Sequence, residues 1–258
     1  MNLSVSIPYY NYNLTDSLRY EITKKNIQHY FNIQQNLKKQ GIELYLNLIG
    51  SENDKSYNLA KPFFNGMVEY TEFKQIHTEK IKPEDLRAKY NYCFQTAKVY
   101  WGNNCKFHCI SGSNDFVSSI FFDELFYHKG FDIIGVSANR NINNLIVLDY
   151  ANKQGFTSTG AYEHDLFNFQ NNFIGGFYAL NTTLLDNLGY NPFQFANDEL
   201  GLEKFCLDQQ YKLHMVDCEI LNVKSNTDLN TFKDCEILKK ADLTSEQLKN
   251  YFNYLDLL

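Results

Sequence analysis

The order of the first three hydrophobic segments constrains this chain more than any other feature. Residues 3–8, LSVSIP, are a short β-branched run stopped by proline. Residues 15–40 place Leu18, Ile22, Ile27, Tyr30, Phe31, Ile33 and Leu37 near helical spacing, with Gly41 as a C-terminal stop. Residues 42–50, IELYLNLIG, form a second strand-like run. A strand, a long helix and a strand in succession are the start of a parallel α/β unit, because parallel neighbours need a crossover of that length.

The alternation continues along the chain. Residues 66–73 are a third strand, and 83–101 a helix with Pro83 in its first turn and Glu84 and Asp85 against the N-terminal dipole. CKFHCI at 105–110 is a fourth strand, 116–128 a further helix and FDIIGVSA at 131–138 a fifth strand. After Asn139 the segment NRNINNLIVLDYANKQGFTSTGAYEHD is too polar and irregular for one regular element, and a loop-rich stretch of that length is usually functional or mobile. Residues 173–180 read as a strand containing Gly175 and Gly176, 181–190 and 198–211 as helices, 213–223 as one strand and 244–258 as an amphipathic helix. With no repeat and no proline-rich linker, the predicted architecture is one α/β domain with a mixed, mostly parallel central sheet flanked by helices.

Composition narrows the function classes. The 258 residues, 44% hydrophobic and 16% aromatic, suit a globular fold with one substantial core. A net charge of -6 without a long basic run excludes the electrostatic footprint of a non-specific nucleic-acid binder. No segment approaches the ~18 apolar residues of a membrane span, and the N-terminus MNLSVSIPYYNYN has no signal-peptide pattern, so the expectation is a soluble, cytoplasmic protein. The six cysteines, Cys93, Cys105, Cys109, Cys206, Cys218 and Cys235, read as reduced thiols. CKFHC lacks the second ligand pair that a structural zinc site needs, so Cys105 and Cys109 read as buried strand residues. His214, entering an apolar strand, reads as a packed residue or a late metal ligand.

In open parallel sheets, ligands bind beyond the carboxyl ends of the strands. The polar residues there are Tyr10 and Asn11 after the first strand, Ser51 and Glu52 after the second, and Ser113, Asn114 and Asp115 after the fourth. The run SGSND has two readings: a turn in which Ser113 or Asp115 caps the next helix, or a rim where Asp115 holds a hard divalent cation against phosphate oxygens.

Several stretches resemble family 2 glycosyltransferases of the GT-A fold. LSVSIPYYN is similar to their opening strand, LNLIGSE to the second strand with its polar end, and DLRAKYNYCFQTAK to the helix preceding the metal motif. ISGSNDFVS falls where the Asp-x-Asp motif belongs, and IGGFYALNTTLLDNLGY followed by NDELGLEKF resembles the acceptor-side strand and helices. The matches run in order through most of 3–205.

The resemblance implies a single GT-A-like, Rossmann-like domain over 1–258. Its nucleotide-sugar half would be 1–115, its acceptor-side half 116–240 and its C-terminal helix 241–258. It implies a nucleotide-sugar donor, a UDP-sugar above others, and a hydroxyl acceptor: a glycan, a small molecule, a protein or a modified nucleobase. Pro8, Tyr10, Asn11, Glu52, Lys89, Asn91, Ser113 and Asn114 would line the nucleotide pocket, Asp115 would hold Mn²⁺ or Mg²⁺, and Asp198 or Glu199 would be the general base of an inverting transfer. Ser113 stands where the family has its first acidic residue, which leaves one carboxylate for the metal. Two other readings remain: a non-catalytic nucleotide- or carbohydrate-binding protein on the same fold, and a sugar nucleotidyltransferase, although IPYYNYN has neither the glycines nor the basic residue of a phosphate loop.

Overall fold

A computed structural model describes residues 2–9, 17–51, 56–74, 83–137, 145–158, 173–196, 199–225 and 240–258. Its first unit is β1 (Asn2–Pro8), α1 (Ser17–Lys39) and β2 (Glu43–Ser51), with β1 and β2 parallel. Gly41, at φ 75°, ends α1, and the Ile42 amide reaches back 3.0 Å to the Leu37 carbonyl. A short helix α2 (Ser56–Ala60), β3 (Val68–Phe73), α3 (Pro83–Trp101) and β4 (Cys105–Ser111) follow.

β3 lies outside β2, while β4 returns to the free side of β1. The sheet is completed by β6 (Ile133–Ser137), β9 (Phe173–Asn181) and β10 (Leu213–Val216), in the order β10-β6-β9-β4-β1-β2-β3. β9 runs antiparallel to both β4 and β6, and the remaining pairs are parallel, so the sheet is mixed and mostly parallel as expected.

The alternation in LSVSIP decides which helix covers which face. Leu3, Val5 and Ile7 join the cluster under α1 with Ile27, Tyr30 and Ile33. Ser4 and Ser6 face the other way, where the Ser6 hydroxyl donates to the Cys93 carbonyl of α3 and Asn47 donates to Ser6, Cys93 and Thr96. These buried hydrogen bonds tie β1 and β2 to α3, although the Asn47 Oδ1 is left without a partner among the described residues.

A second sheet, not expected from the sequence, has the order β12-β8-β7-β11-β5. Its strands are β5 (Asp115–Val117), β7 (Leu145–Asp149), β8 (Gln154–Ser158), β11 (Ile220–Lys224) and β12 (Lys240–Asp242). It is covered by α7 (Ser245–Asp256) and by Ile22 of α1.

Three sequence expectations are corrected here. The predicted helix over 116–128 is strand β5 followed by α4 (Ile120–Tyr127), because Phe116 and Leu221 meet across an antiparallel pairing with β11. The loosened segment after Asn139 contains the hairpin β7-β8, whose turn is held by Asp149 accepting from the Asn152 backbone and side chain. The single strand over 213–223 is two strands in different sheets, divided at 217–219. The helices at 181–190 and 198–211 are present as α5 (Thr182–Asn187) and α6 (Glu199–Asp208).

Candidate functional site

The chain reverses its direction of sheet-building at β1. From β1 it moves outward to β2 and β3, then crosses back through α3 to β4 on β1's other flank. The carboxyl ends of β1 and β4 therefore border the switch point, the place where open α/β sheets generally bind their ligands because the connections leave in opposite directions.

At the β1 side the rim is Pro8 and Tyr9, the latter buried and tied by its amide to the Ile49 carbonyl at 3.0 Å. Lys89 rises from α3 beneath them. Its side chain is fully buried, and Nζ donates to the Tyr9 carbonyl at 2.8 Å and the Ser51 hydroxyl at 3.3 Å, with the Phe73 ring 5.9 Å away. One Nζ thus joins the ends of β1 and β2. Asn91, two positions along the same helix, faces elsewhere: its Oδ1 accepts from the Phe193 amide at 2.9 Å. The structure does not bring it together with Lys89. Tyr10, Asn11, Glu52 and Asp198 lie outside the described residues.

At the β4 side, residues 112–114 form the corner by which the chain steps from the first sheet into the second. The Asp115 amide returns to the Gly112 carbonyl at 3.1 Å. Asn114 acts as an extra rung for β11: its carbonyl accepts from the Val223 amide at 2.9 Å and its side-chain amide donates to the Val223 carbonyl at 3.1 Å. Ser113 is buried in this corner. α4 is capped at Ser119 without a side-chain bond, so neither Ser113 nor Asp115 serves as its helix cap.

Asp115 is turned into the molecule, 5% exposed. Its backbone carbonyl accepts from Asn26 at 2.7 Å and from Tyr30 at 3.0 Å, two buried donors of α1. Its carboxylate Oδ1 accepts from the Asn222 amide at 2.5 Å, and Oδ2 folds over Gly112, 2.1 Å from where a Cβ would stand. Burial pushes this carboxyl up to about 6, against the smaller opposing pulls of Lys224 and the Asn222 hydrogen bond. One carboxylate, half engaged by Asn222 and facing a lysine, is not the donor set of a hard divalent cation, which needs several oxygens in an open arrangement. The residues at this corner do not fit the expected Mn²⁺ or Mg²⁺.

The helix α6 can be placed by topology. α6 ends at Asp208, shortly before β10, whose first residue pairs with Ile133 at the start of β6. The helix therefore descends along the sheet, and Glu199, its first residue, lies toward the carboxyl-end edge that carries Tyr9 and Lys89.

Sequence reasoning missed a second group. Glu124, His128 and His214 offer ligand atoms all within 4.8 Å of one another. Glu124 and His128 are four apart on and just after α4, a spacing legible in the sequence, but His214 arrives only through the β6-β10 pairing. Among the cysteines, the described five, Cys93, Cys105, Cys109, Cys206 and Cys218, are buried free thiols; His108 points away from Cys109, with Nδ1 2.7 Å from the Ser4 hydroxyl.

No protein-family model matches the sequence, and no curated protein matches it at a significant level. Among solved structures, the chain is similar to the inositol-1-phosphate CTP transferase of T. maritima (11% identity, 99% of this chain and 95% of that one, TM-score 0.49). It is also similar to CMP:2-keto-3-deoxy-manno-octonic acid synthetase complexed with CTP (10% identity, 91% and 98%, TM-score 0.48). A third similar structure is the bifunctional glycosyltransferase WbbM in its apo form (10% identity, 83% and 38%, TM-score 0.46). Superpositions this loose set no activity, and the fold assignment rests on the strand order itself. Among the described residues, no helix is long and apolar enough to cross a membrane.

Proposed function

We propose that the switch point between the ends of β1 and β4 binds a nucleotide-activated sugar and that the protein is a transferase moving that sugar to a hydroxyl acceptor. The observation that supports this most is the switch point at β1, with the buried Lys89 ammonium under its rim. In this reading, Pro8, Tyr10, Asn11, Glu52 and Ser113 line the nucleotide. Lys89 is a positioning residue: it holds the Tyr9 carbonyl and Ser51 in place, and its charge favours the diphosphate electrostatically. Asn91 and Asn114 act one step back, holding the 192–194 segment and β11. The acceptor's proton goes to Glu199 or to Asp198 beside it, and the sugar inverts in a single displacement. A divalent cation would neutralise the leaving diphosphate, but no step is assigned to one, because the Asp115 corner does not fit it.

The test is a panel of nucleotide sugars and nucleoside triphosphates, with and without Mn²⁺, read by product. Release of nucleoside diphosphate from a nucleotide sugar supports the proposal. Release of pyrophosphate from a triphosphate with a sugar phosphate or sugar acid would replace it with nucleotidyl transfer. The inward placement of Asp115 favours one further reading, a binding protein on this fold; saturable nucleotide binding without release of either product would establish it.

A further inference from the structure

We propose that Glu124, His128 and His214 form a binding site for a borderline divalent transition metal of the Zn²⁺ class, on the edge of the first sheet opposite the proposed nucleotide site. The three groups converge from separate elements. Glu124 lies in the last turn of α4, His128 directly follows that helix, and His214 is the second residue of the edge strand β10, paired with Ile134 near the start of β6. This is the amino-end edge of β6, whereas the switch point lies at the carboxyl ends of β1 and β4.

The distances are those of a site needing only side-chain adjustment. Glu124 Oε2 stands 2.9 Å from His128 Nε2 and 4.0 Å from His214 Nε2. Bond lengths of about 2.1 Å to a tetrahedral Zn²⁺ put ligand atoms roughly 3.4 Å apart. The first of these separations must therefore open, and the second close, by about half an ångström. The imidazoles now stack, centroids 3.7 Å apart and planes 28° from parallel, so one ring must turn for both in-plane lone pairs to meet at one ion; Phe131 lies beside both, 5.0 Å from His214 and 5.6 Å from His128. Phe131 itself packs against the main core, so the histidine planes rest on a fixed surface.

The donor set selects the metal class. Two imidazoles and one carboxylate suit Zn²⁺ and its transition-metal neighbours, whereas Mg²⁺ and Ca²⁺ require oxygen-rich cages. The side chains are 31%, 37% and 24% exposed for His128, Glu124 and His214, which leaves water able to complete the coordination. Asp217, one residue beyond β10, acts electrostatically on His214 and adds negative charge beside the site. Bound metal would clip the edge strand β10, only four residues long, to the end of α4.

The full-length protein, stripped of metal with a chelator, is titrated with Zn²⁺ alone by calorimetry and with Co²⁺ by visible absorption. One equivalent should bind, the Co²⁺ complex should show the d–d bands of a tetrahedral site without a thiolate charge-transfer band, and Mg²⁺ should not compete. His128→Ala and His214→Ala, both at partly exposed positions, should each weaken Zn²⁺ at least 100-fold while retaining the circular dichroism of the parent; Glu124→Gln should weaken it about tenfold or more. Should either His variant not fold, His128→Gln and His214→Gln take its place. Absence of Zn²⁺ binding, affinity unchanged in the His variants, or a thiolate band in the Co²⁺ spectrum would overturn the proposal.

Discussion

Asn222 of β11 donates to the Asp115 carboxylate of β5 at 2.5 Å, across the antiparallel pairing that starts the second sheet. The residue that the sequence marks out for a metal is, in the fold, a buried acid that fastens one sheet to the other. Its environment makes its ionisation costly.

Because the folded-state pKa of Asp115 is raised from 3.8 to about 6, the folded chain holds a proton that the unfolded chain has already lost between those values. Stability from this group therefore falls as pH rises from about 4 to about 6, by up to roughly 3 kcal/mol at 1.36 kcal/mol per unit. Asp115→Asn, neutral at every pH, should gain on the parent across that window. Urea unfolding at pH 4.5 and pH 7 reads the difference; a gap between variant and parent that does not change with pH would show the carboxyl is not buried as described.

Gly112→Ala would place a Cβ 2.1 Å from Asp115 Oδ2. The carboxylate must then swing away from Asn222, which should cost about 1–3 kcal/mol. In an Asp115→Ala background the clash disappears, so the penalty should shrink by at least half. A double-mutant cycle by denaturant titration measures the coupling.

His29 carries the opposite pH dependence. Burial lowers its pKa from 6.5 to about 4, while its Nε2 contacts the Val117 carbonyl at 2.9 Å and its Nδ1 the Tyr254 hydroxyl of α7. The unfolded chain binds the proton first, so stability falls as pH drops from 6.5 toward 4. His29→Gln should start less stable at pH 7 and lose less on acidification, as followed by thermal melts at successive pH values.

Lys89→Met keeps the length of the side chain and removes its charge. The Tyr9 carbonyl and Ser51 lose a charged donor, which should cost roughly 2–4 kcal/mol. If the rim is the nucleotide site, the variant should also bind nucleoside diphosphate at least tenfold more weakly at temperatures where it remains folded, as measured by calorimetry.

The first half of the chain was legible because its signals are local. The LSVSIP alternation, the Gly41 stop and the proline at the head of α3 each act within a few residues, and α3 begins and ends where the sequence places it, Pro83–Trp101. The second sheet was not legible, because its strands come from five separated places and each is only three to five residues long, too short for a sustained alternation. SGSND shows why the site was harder still. Its residues suit a turn, a cap or a metal rim equally well, and the decision comes from Asn222, Lys224, Asn26 and Tyr30, partners far away in the chain. His214 was ambiguous for the same reason, since Glu124 and His128 reach it only through tertiary pairing.

Hydrogen–deuterium exchange with and without a nucleoside diphosphate tests the proposed nucleotide site most directly. Saturating ligand should slow exchange in peptides covering the carboxyl ends of β1 and β4, residues 6–12 and 109–117, and leave α7 unchanged. Protection absent from those peptides, or confined to the cavity that His29 and Asn32 of α1 line with Tyr251 and Tyr254 of α7, would contradict a nucleotide site at the β1 switch point.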